Sequence, residues 1–150
     1  MVSRSAGPLD RVVAAPDFVR WRRDDAGVVV EATVAEHVDP DHLSRLVGPW
    51  GDLWVRRQDQ PVGSTVRVRI LARDVSLALA RETGSTLLNQ LPVRVAAVEG
   101  GTEGDVTVRL ESEGGHAPLL ARITIRSARQ LRVERGREVW ARVKAVAVVA

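Results

Sequence analysis

The sequence predicts an all-β protein made of two similar small units in tandem, and three observations carry that expectation. Val-rich segments alternate apolar and polar residues, the period-two mark of a half-buried strand. One such segment occurs twice: Ser64 to Leu79 (STVRVRILARDVSLAL) and Arg137 to Ala150 (REVWARVKAVAVVA), with Val66, Val68 and Ile70 in the places of Val139, Ala141 and Val143. Gly63 precedes the first copy and Gly136 the second, so the offset is 73 residues, about half of the 150-residue chain. Short clusters of turn-forming residues separate the strand segments at regular intervals, as in small barrels.

Taken in order, residues 1–20 open polar and continue as PLDRVVAAPDFV. Pro8, followed by Leu9, Val12 and Val13, predicts a short amphipathic turn stopped by Pro16. This stretch reads as a linker from an upstream domain or, equally, as a frayed terminus. Gly27 to Val38 alternates and is a strand. The following EHVDPDH holds His37, Asp39, Asp41 and His42, but its turn composition accounts for these residues, and their spacing does not by itself set a tetrahedral ligand geometry. Leu43 to Val47 is a strand, 48–52 a turn, Leu53 to Arg57 a strand, and Pro61-Val62-Gly63 the turn into the first repeat copy.

RETGST (81–86) connects the halves. Leu91 to Glu99, Val106 to Glu111 and Leu119 to Ile125 are strands, separated by turns at Gly100 to Asp105 and at Gly114-Gly115. Ser127 to Leu131 predicts a short helix with Ser127 as its N-cap, a feature the first half lacks. Arg135-Gly136 turns the chain into the last strand, which becomes wholly apolar after Lys144, as expected of a strand buried on both faces. Each half thus has about five strands, the pattern of a small barrel of the oligonucleotide/oligosaccharide-binding (OB) class. The expected organisation is a linker at 1–20, a first half at 21–82 and a second half at 83–150.

Composition excludes several functions. There is no cysteine, so no disulfide framework and no thiolate metal site, which fits a reducing cytoplasm. No apolar run reaches the length of a membrane span, and the N-terminus has no signal-peptide core. The pI of 10.8 accompanies a net charge of only +3, because the basic residues are almost all arginine and hold their protons. With no tyrosine and one phenylalanine there is little platform for base stacking, so nucleic acid is not expected as a partner. GxxxxGK[ST], HExxH and GxSxG are all missing, and His37, His42 and His116 sit in predicted turns without a serine or cysteine partner. No catalytic residue and no enzyme activity are expected within these residues.

What remains is a set of neutral donors with one lysine: Thr83-Gly84-Ser85-Thr86, Asn89, Thr124, Ser127 and Lys144-Ala145. A dehydrated tetrahedral dianion needs many hydrogen bonds and about one positive charge. Each residue alone also has an ordinary role open to it: Ser85 or Thr86 in a turn, Ser127 as a cap, Lys144 as a solvated side chain.

STLLNQLPVRV (85–95), ARITIRS (121–127) and WARVKAVAV (140–148) together resemble the molybdate-binding Mop domain. That domain occurs in molbindins, in the molybdate-responsive transcription regulator and at the C-terminus of the molybdate ABC-transporter ATPase. PLDRVVAAPD, the Trp-Val strand and VRVRILARDVSLAL are similar, in that order, to the regulatory (TOBE) region after the nucleotide-binding domain of the transporter ATPase. The resemblance runs from about Gly7 onward. It implies Mop-type barrel halves and an oxyanion pocket drawn from Thr86, Leu87, Leu88 and Asn89, from Thr124 and Ser127, and from Lys144 and Ala145. The ligand would be molybdate or tungstate, with molybdenum present only as the oxyanion. It further implies a homodimer with pockets between modules or subunits, an upstream ATPase domain and, through it, a membrane permease, hence a cytoplasmic place at the inner face of the membrane. Several family members have arginine where this chain has Leu88, so Lys144 would carry the main positive charge. Two alternatives remain open: a free-standing molbindin-type storage protein and a dimerisation module without a ligand. Molybdate, tungstate and sulfate are all tetrahedral dianions, and the sequence does not choose among them.

Overall fold

The computed structural model describes residues 18–20, 26–100, 103–115 and 117–149. The strands are β1 (Phe18–Arg20), β2 (Gly27–Val38), β3 (Leu43–Gly48), β4 (Gly51–Arg56), β5 (Thr65–Leu71), β6 (Val75–Ala78), β7 (Asn89–Gly100), β8 (Asp105–Ser112), β9 (Pro118–Thr124), β10 (Glu138–Val143) and β11 (Ala147–Val148). One short helix, α1 (Ile125–Gln130), lies in the second half. The fold is all-β with two curled, barrel-like sheets, as expected. Most of the predicted 1–20 linker lies outside the described residues, and its last three residues pair with β2.

The likeness of the two halves extends to individual hydrogen bonds. β2 and β7 each have twelve residues, and each carries a register shift, between Val34 and Glu36 in one and between Val95 and Ala97 in the other. Such a bulge bends a strand and sharpens its twist, which a small barrel needs. At each bulge the same clamp forms. Gly63 donates to the Val34 carbonyl and Val34 donates to that of Ser64; Gly136 donates to the Val95 carbonyl and Val95 to that of Arg137, all at 2.8–2.9 Å. Gly63 and Gly136 have φ of +96° and +91°. Side chains rarely tolerate that region, so the repeat begins on glycine twice.

Sheet membership does not follow chain order. One sheet runs β11-β5-β2-β3-β4 with β1 beside β2, the other β6-β10-β7-β8-β9. The halves have exchanged their last short strands: β6 pairs with β10 (Val75 opposite Val143), and β11 pairs with β5 (Ala147 opposite Arg69). A turn at Ala72–Asp74 makes the first crossing and residues 144–146 the second. The predicted last strand therefore stops at Val143. Its apolar tail is half-buried rather than buried on both faces, because the chain leaves one twisted sheet for the other there. The crossings are tied by Lys144, whose backbone N–H donates to the Asp74 carbonyl at 2.8 Å.

Two further expectations are corrected. The cap of α1 is Thr124, in extended conformation, whose Oγ1 accepts from the Ser127 N–H; Ser127 lies inside the first turn. A β-region residue with an acceptor three before the free N–H is what a cap requires, and Thr124 ends a strand while Ser127 does not. His37 lies in β2 opposite Ser44, not in a turn.

The alternating residues meet in one core shared by both sheets. Val30, Val34, Leu46, Leu53 and Ile70 from the first pack with Leu110, Leu119, Leu120 and Ala141 from the second, all almost fully buried. Where β2 passes β5, a Cβ on Gly27 would stand 2.5 Å from the Ile70 carbonyl oxygen, so only glycine fits. Among the described residues no helix is long and apolar enough to cross a membrane.

Candidate anion site

The loop between β6 and β7 is held by two neighbours on the outer face of the second sheet. Gln90 and Arg142 are partners across the β7–β10 ladder. Gln90 Nε2 donates to the carbonyls of Glu82 (2.6 Å) and Leu87 (3.3 Å), and its Oε1 accepts from the Glu82 N–H (2.7 Å). Ser85 Oγ accepts from the Leu87 N–H and from Arg142 Nη2, both at 3.0 Å. The connection without regular structure, residues 79–88, is thereby ordered from both sides, and it presents exposed Thr86 and Leu88 with half-buried Leu87 between them.

Asn89 closes this loop and ties it to the other sheet. Its Oδ1 accepts from the Trp54 N–H at 2.7 Å and its Nδ2 donates to the Trp54 carbonyl at 2.9 Å. Trp54 lies in β4, at an edge of its sheet, where backbone groups have no neighbouring strand. The carboxamide supplies the donor and acceptor that a strand residue would, which accounts for its burial. One Nδ2 hydrogen is left over.

Because Asn89 is opposite Val143, Lys144 follows at the loop's end. Its side chain is exposed, with no ion pair among the described residues, and Ala145 beside it is exposed too. Register thus brings Thr86, Leu87, Leu88, Asn89, Lys144 and Ala145 to one end of β7 and β10. Thr124 and Ser127 lie elsewhere. A row of cross-strand partners runs Glu138, Arg94, Glu111, Pro118; Asn89 lies to one side of it and Thr124 to the other, opposite Asp105. Thr124 Oγ1 donates to Ser127 Oγ at 3.0 Å, and no hydrogen bond joins this pair to the loop among the described residues.

Positive charge concentrates in and after α1, beyond Thr124. Arg126, Arg129, Arg132, Arg135 and Arg137, all exposed, stand against one acid, Glu134, in the stretch 126–137. Five positive charges less one negative exceed the chain's entire net charge of +3. In the first sheet His37 and Asp39 are bonded to β3 and to the connection after β4. His37 Nδ1 lies 2.8 Å from Ser44 Oγ, and its Nε2 lies 2.8 Å from the Gln60 carbonyl. The Gln60 carbonyl can only accept, so the network assigns a hydrogen to His37 Nε2, which donates to it. Asp39 pairs with Arg57 at 2.6 Å, and that hydrogen-bonded guanidinium holds its carboxyl below the usual value. A separate groove of about 410 Å³ on the second sheet, lined by Leu79, Pro92, Arg94, Glu113, Glu138 and Trp140 among others, contains none of the predicted site residues.

Sequence reasoning passed over Gln90, Arg142 and Trp54. Gln90 and Arg142 occupy polar positions of alternating strands beside Asn89 and Lys144, which is the signal that marks them.

Residues 85–150 match the TOBE domain family. Over 144 residues the chain is 46% identical to the molybdenum import ATP-binding protein ModC 1 of Azotobacter vinelandii, covering 95% of this chain and 39% of that protein. It is 46% identical over 146 residues to the ModC protein of Methylococcus capsulatus, covering 97% and 40% respectively. The chain therefore spans about two fifths of the length of these relatives. A structure of the cytoplasmic molybdate-binding protein ModG with molybdate bound has the same fold, with a TM-score of 0.63 at 20% identity over 81% of this chain and 92% of that one.

Proposed function

We propose that this chain, whose residues 85–150 belong to the TOBE domain family, is the oxyanion-binding regulatory region of a molybdenum-importing ATP-binding protein, with molybdate or tungstate as its ligand. One observation carries the reading: an exposed lysine, without a carboxylate partner among the described residues, sits at the end of a loop that is held in place by side-chain hydrogen bonds. A preorganised ring of neutral donors with an adjacent cation suits a tetrahedral dianion. Thr86, Leu87, Leu88 and Asn89 would supply loop donors, Lys144 the charge, and Ala145 the adjoining backbone.

Thr124 and Ser127 complete the set only if a second module or subunit brings them to this loop, since register puts them across the sheet. We therefore propose a homodimer, with residues 1–20 leading from an upstream ATPase domain, 21–82 as the first unit and 83–150 as the second. Through the ATPase it would serve a membrane permease on the cytoplasmic side. The oxyanion, bound between regulatory regions, would favour an arrangement in which import is slow. Linkage requires that it bind that arrangement more tightly than the active one.

The test is isothermal titration with molybdate, tungstate and sulfate, repeated on Lys144→Ala. Micromolar binding, on the order of 8 kcal/mol, of molybdate or tungstate and not sulfate, lost in Lys144→Ala, is the expected result. Absence of heat and of any thermal shift at millimolar oxyanion refutes the site. It would leave a second reading, a dimerisation module without a ligand, which the 55% exposed apolar Leu88 on the loop favours.

A further inference from the structure

We infer that Arg142 is a second cationic ligand of the proposed oxyanion site, and that its contact with Ser85 Oγ is the place a ligand oxygen takes. The inference rests on the site reading above. Arg142 is mostly buried on the outer face of β10, at a polar position of the alternating strand. Its Nη2 donates to Ser85 Oγ at 3.0 Å, and its Nε is buried with no acceptor among the described residues.

The environment of this guanidinium differs from that of the other well-placed arginines. Arg45 is paired with Glu36 and Asp52, Arg57 with Asp39, and Arg94 with Glu111. Arg142 has Ser76 and Gln90 as its cross-strand neighbours, both neutral, and no ion pair among the described residues. A guanidinium whose Nε is buried without an acceptor, and whose one hydrogen-bond partner among the described residues is a hydroxyl, is poorly compensated. An unpartnered buried donor in a folded protein calls for an explanation, and a bound ion is one of the standard ones.

Position supplies the ligand class. The hydroxyl that Arg142 contacts belongs to the loop that presents Thr86 to Leu88, and Lys144 lies two residues further along the same chain. Lys144 with neutral donors meets the minimum for a tetrahedral dianion, and a second cation at the loop would offset the charge that is otherwise left to neutral hydrogen bonds. The planar guanidinium also offers Nε and an Nη in the fork geometry that grips two oxygens at once. Loop and ligand then compete for the same donors, with Gln90 keeping the loop anchored at Glu82 and Leu87 while Ser85 gives way.

Two measurements on the 150-residue chain test this. The first is titration of molybdate into wild type, Arg142→Gln, Arg142→Lys and Ser85→Ala, each checked for an unchanged circular dichroism spectrum. The expected pattern is at least tenfold weaker binding for Arg142→Gln, partial recovery in Arg142→Lys, and Ser85→Ala within threefold of wild type. Equal weakening in Arg142→Gln and Ser85→Ala would overturn the inference by making Arg142 only a holder of the loop. So would Arg142→Gln within threefold of wild type while Lys144→Ala loses binding, and the site reading would then survive. Wild type without binding removes both. The second measurement needs no folded Arg142→Gln variant: the Arg142 Nε–H resonance, assigned by its absence in Arg142→Lys, should move and saturate with the molybdate dissociation constant. A resonance that stays still while molybdate binds refutes the contact.

Discussion

Replacing Asn89 by alanine removes the two hydrogen bonds that join the loop to the edge of the first sheet. The side chain is only 7% exposed and bonds both the N–H and the carbonyl of Trp54 at 2.7 and 2.9 Å. A neutral hydrogen bond contributes about 1 kcal/mol net, and a stranded buried partner costs about 1–3 kcal/mol more. Trp54 is only half-buried, so water can reach its freed groups in part, which puts the loss for Asn89→Ala at about 2 kcal/mol. That is roughly a thirtyfold change in the folding equilibrium. Urea denaturation followed by tryptophan fluorescence measures it, with an unchanged slope showing that only stability has moved. Asn89→Asp gives an internal control. Its carboxylate still accepts from the Trp54 N–H but faces the Trp54 carbonyl, so it is destabilising at neutral pH. Burial raises the carboxyl's pKa, and stability relative to wild type should recover as the pH falls and the acid becomes a donor. A loss below about 0.5 kcal/mol in Asn89→Ala, less than a single ordinary hydrogen bond, would refute the reasoning and return Asn89 to the role of a simple loop residue.

Thr124→Ala removes the cap of α1 and should cost about 1 kcal/mol, whereas Thr124→Ser, which keeps the acceptor, should cost little; faster amide exchange at Ser127 is the local readout. Asp39→Asn should flatten the acid limb of the stability curve slightly. Arg57 depresses the Asp39 pKa below its ordinary 3.8, so the pair stabilises above that value and the contribution fades as the pH falls through the lower folded value. The pair is solvent-exposed, so the effect should shrink further in salt; an acid limb identical in Asp39→Asn and wild type at low ionic strength would contradict it.

The fold was legible where alternation was clean. Val30 to Val34, Val66 to Ile70 and Val139 to Val143 bury every second residue, as the period-two pattern requires. The paired glycines at 63 and 136 marked the repeat because a turn with φ near +90° forces that residue each time. Strand partners were not legible. Both repeat copies read as unbroken strands because alternation and apolar runs report burial, not which sheet supplies it. A segment that crosses from one barrel to the other keeps burying apolar residues throughout. The cap of α1 was misplaced for a related reason: Thr124 and Ser127 are both good caps by type, and only the extended backbone of Thr124 decides. At the candidate site, Lys144 and the loop were visible as residue types beside a change of pattern. The latches through Gln90 and Arg142 depend on register between strands some fifty residues apart, which no local spacing encodes.

The exchange of β6 and β11 bears on how a regulatory region of this shape could act at a distance. Lys144 lies between β10 in one sheet and β11 in the other, and its backbone is bonded to Asp74, in the turn where the first half makes the reverse crossing. Both connections between the barrels therefore meet at one residue. Asn89 adds a third tie, from the loop to β4. A ligand held on a surface loop alone could order that loop and leave the rest of the molecule unchanged. A ligand held at Lys144 bears on the short strands that each barrel borrows from the other half. Because packed cores shift between discrete arrangements more readily than they deform, a small displacement there is carried by the barrels as bodies. If the proposed site binds its ligand, the loop would supply recognition and the crossing at Lys144 transmission, and a variant that spares binding but loosens the crossing would separate the two.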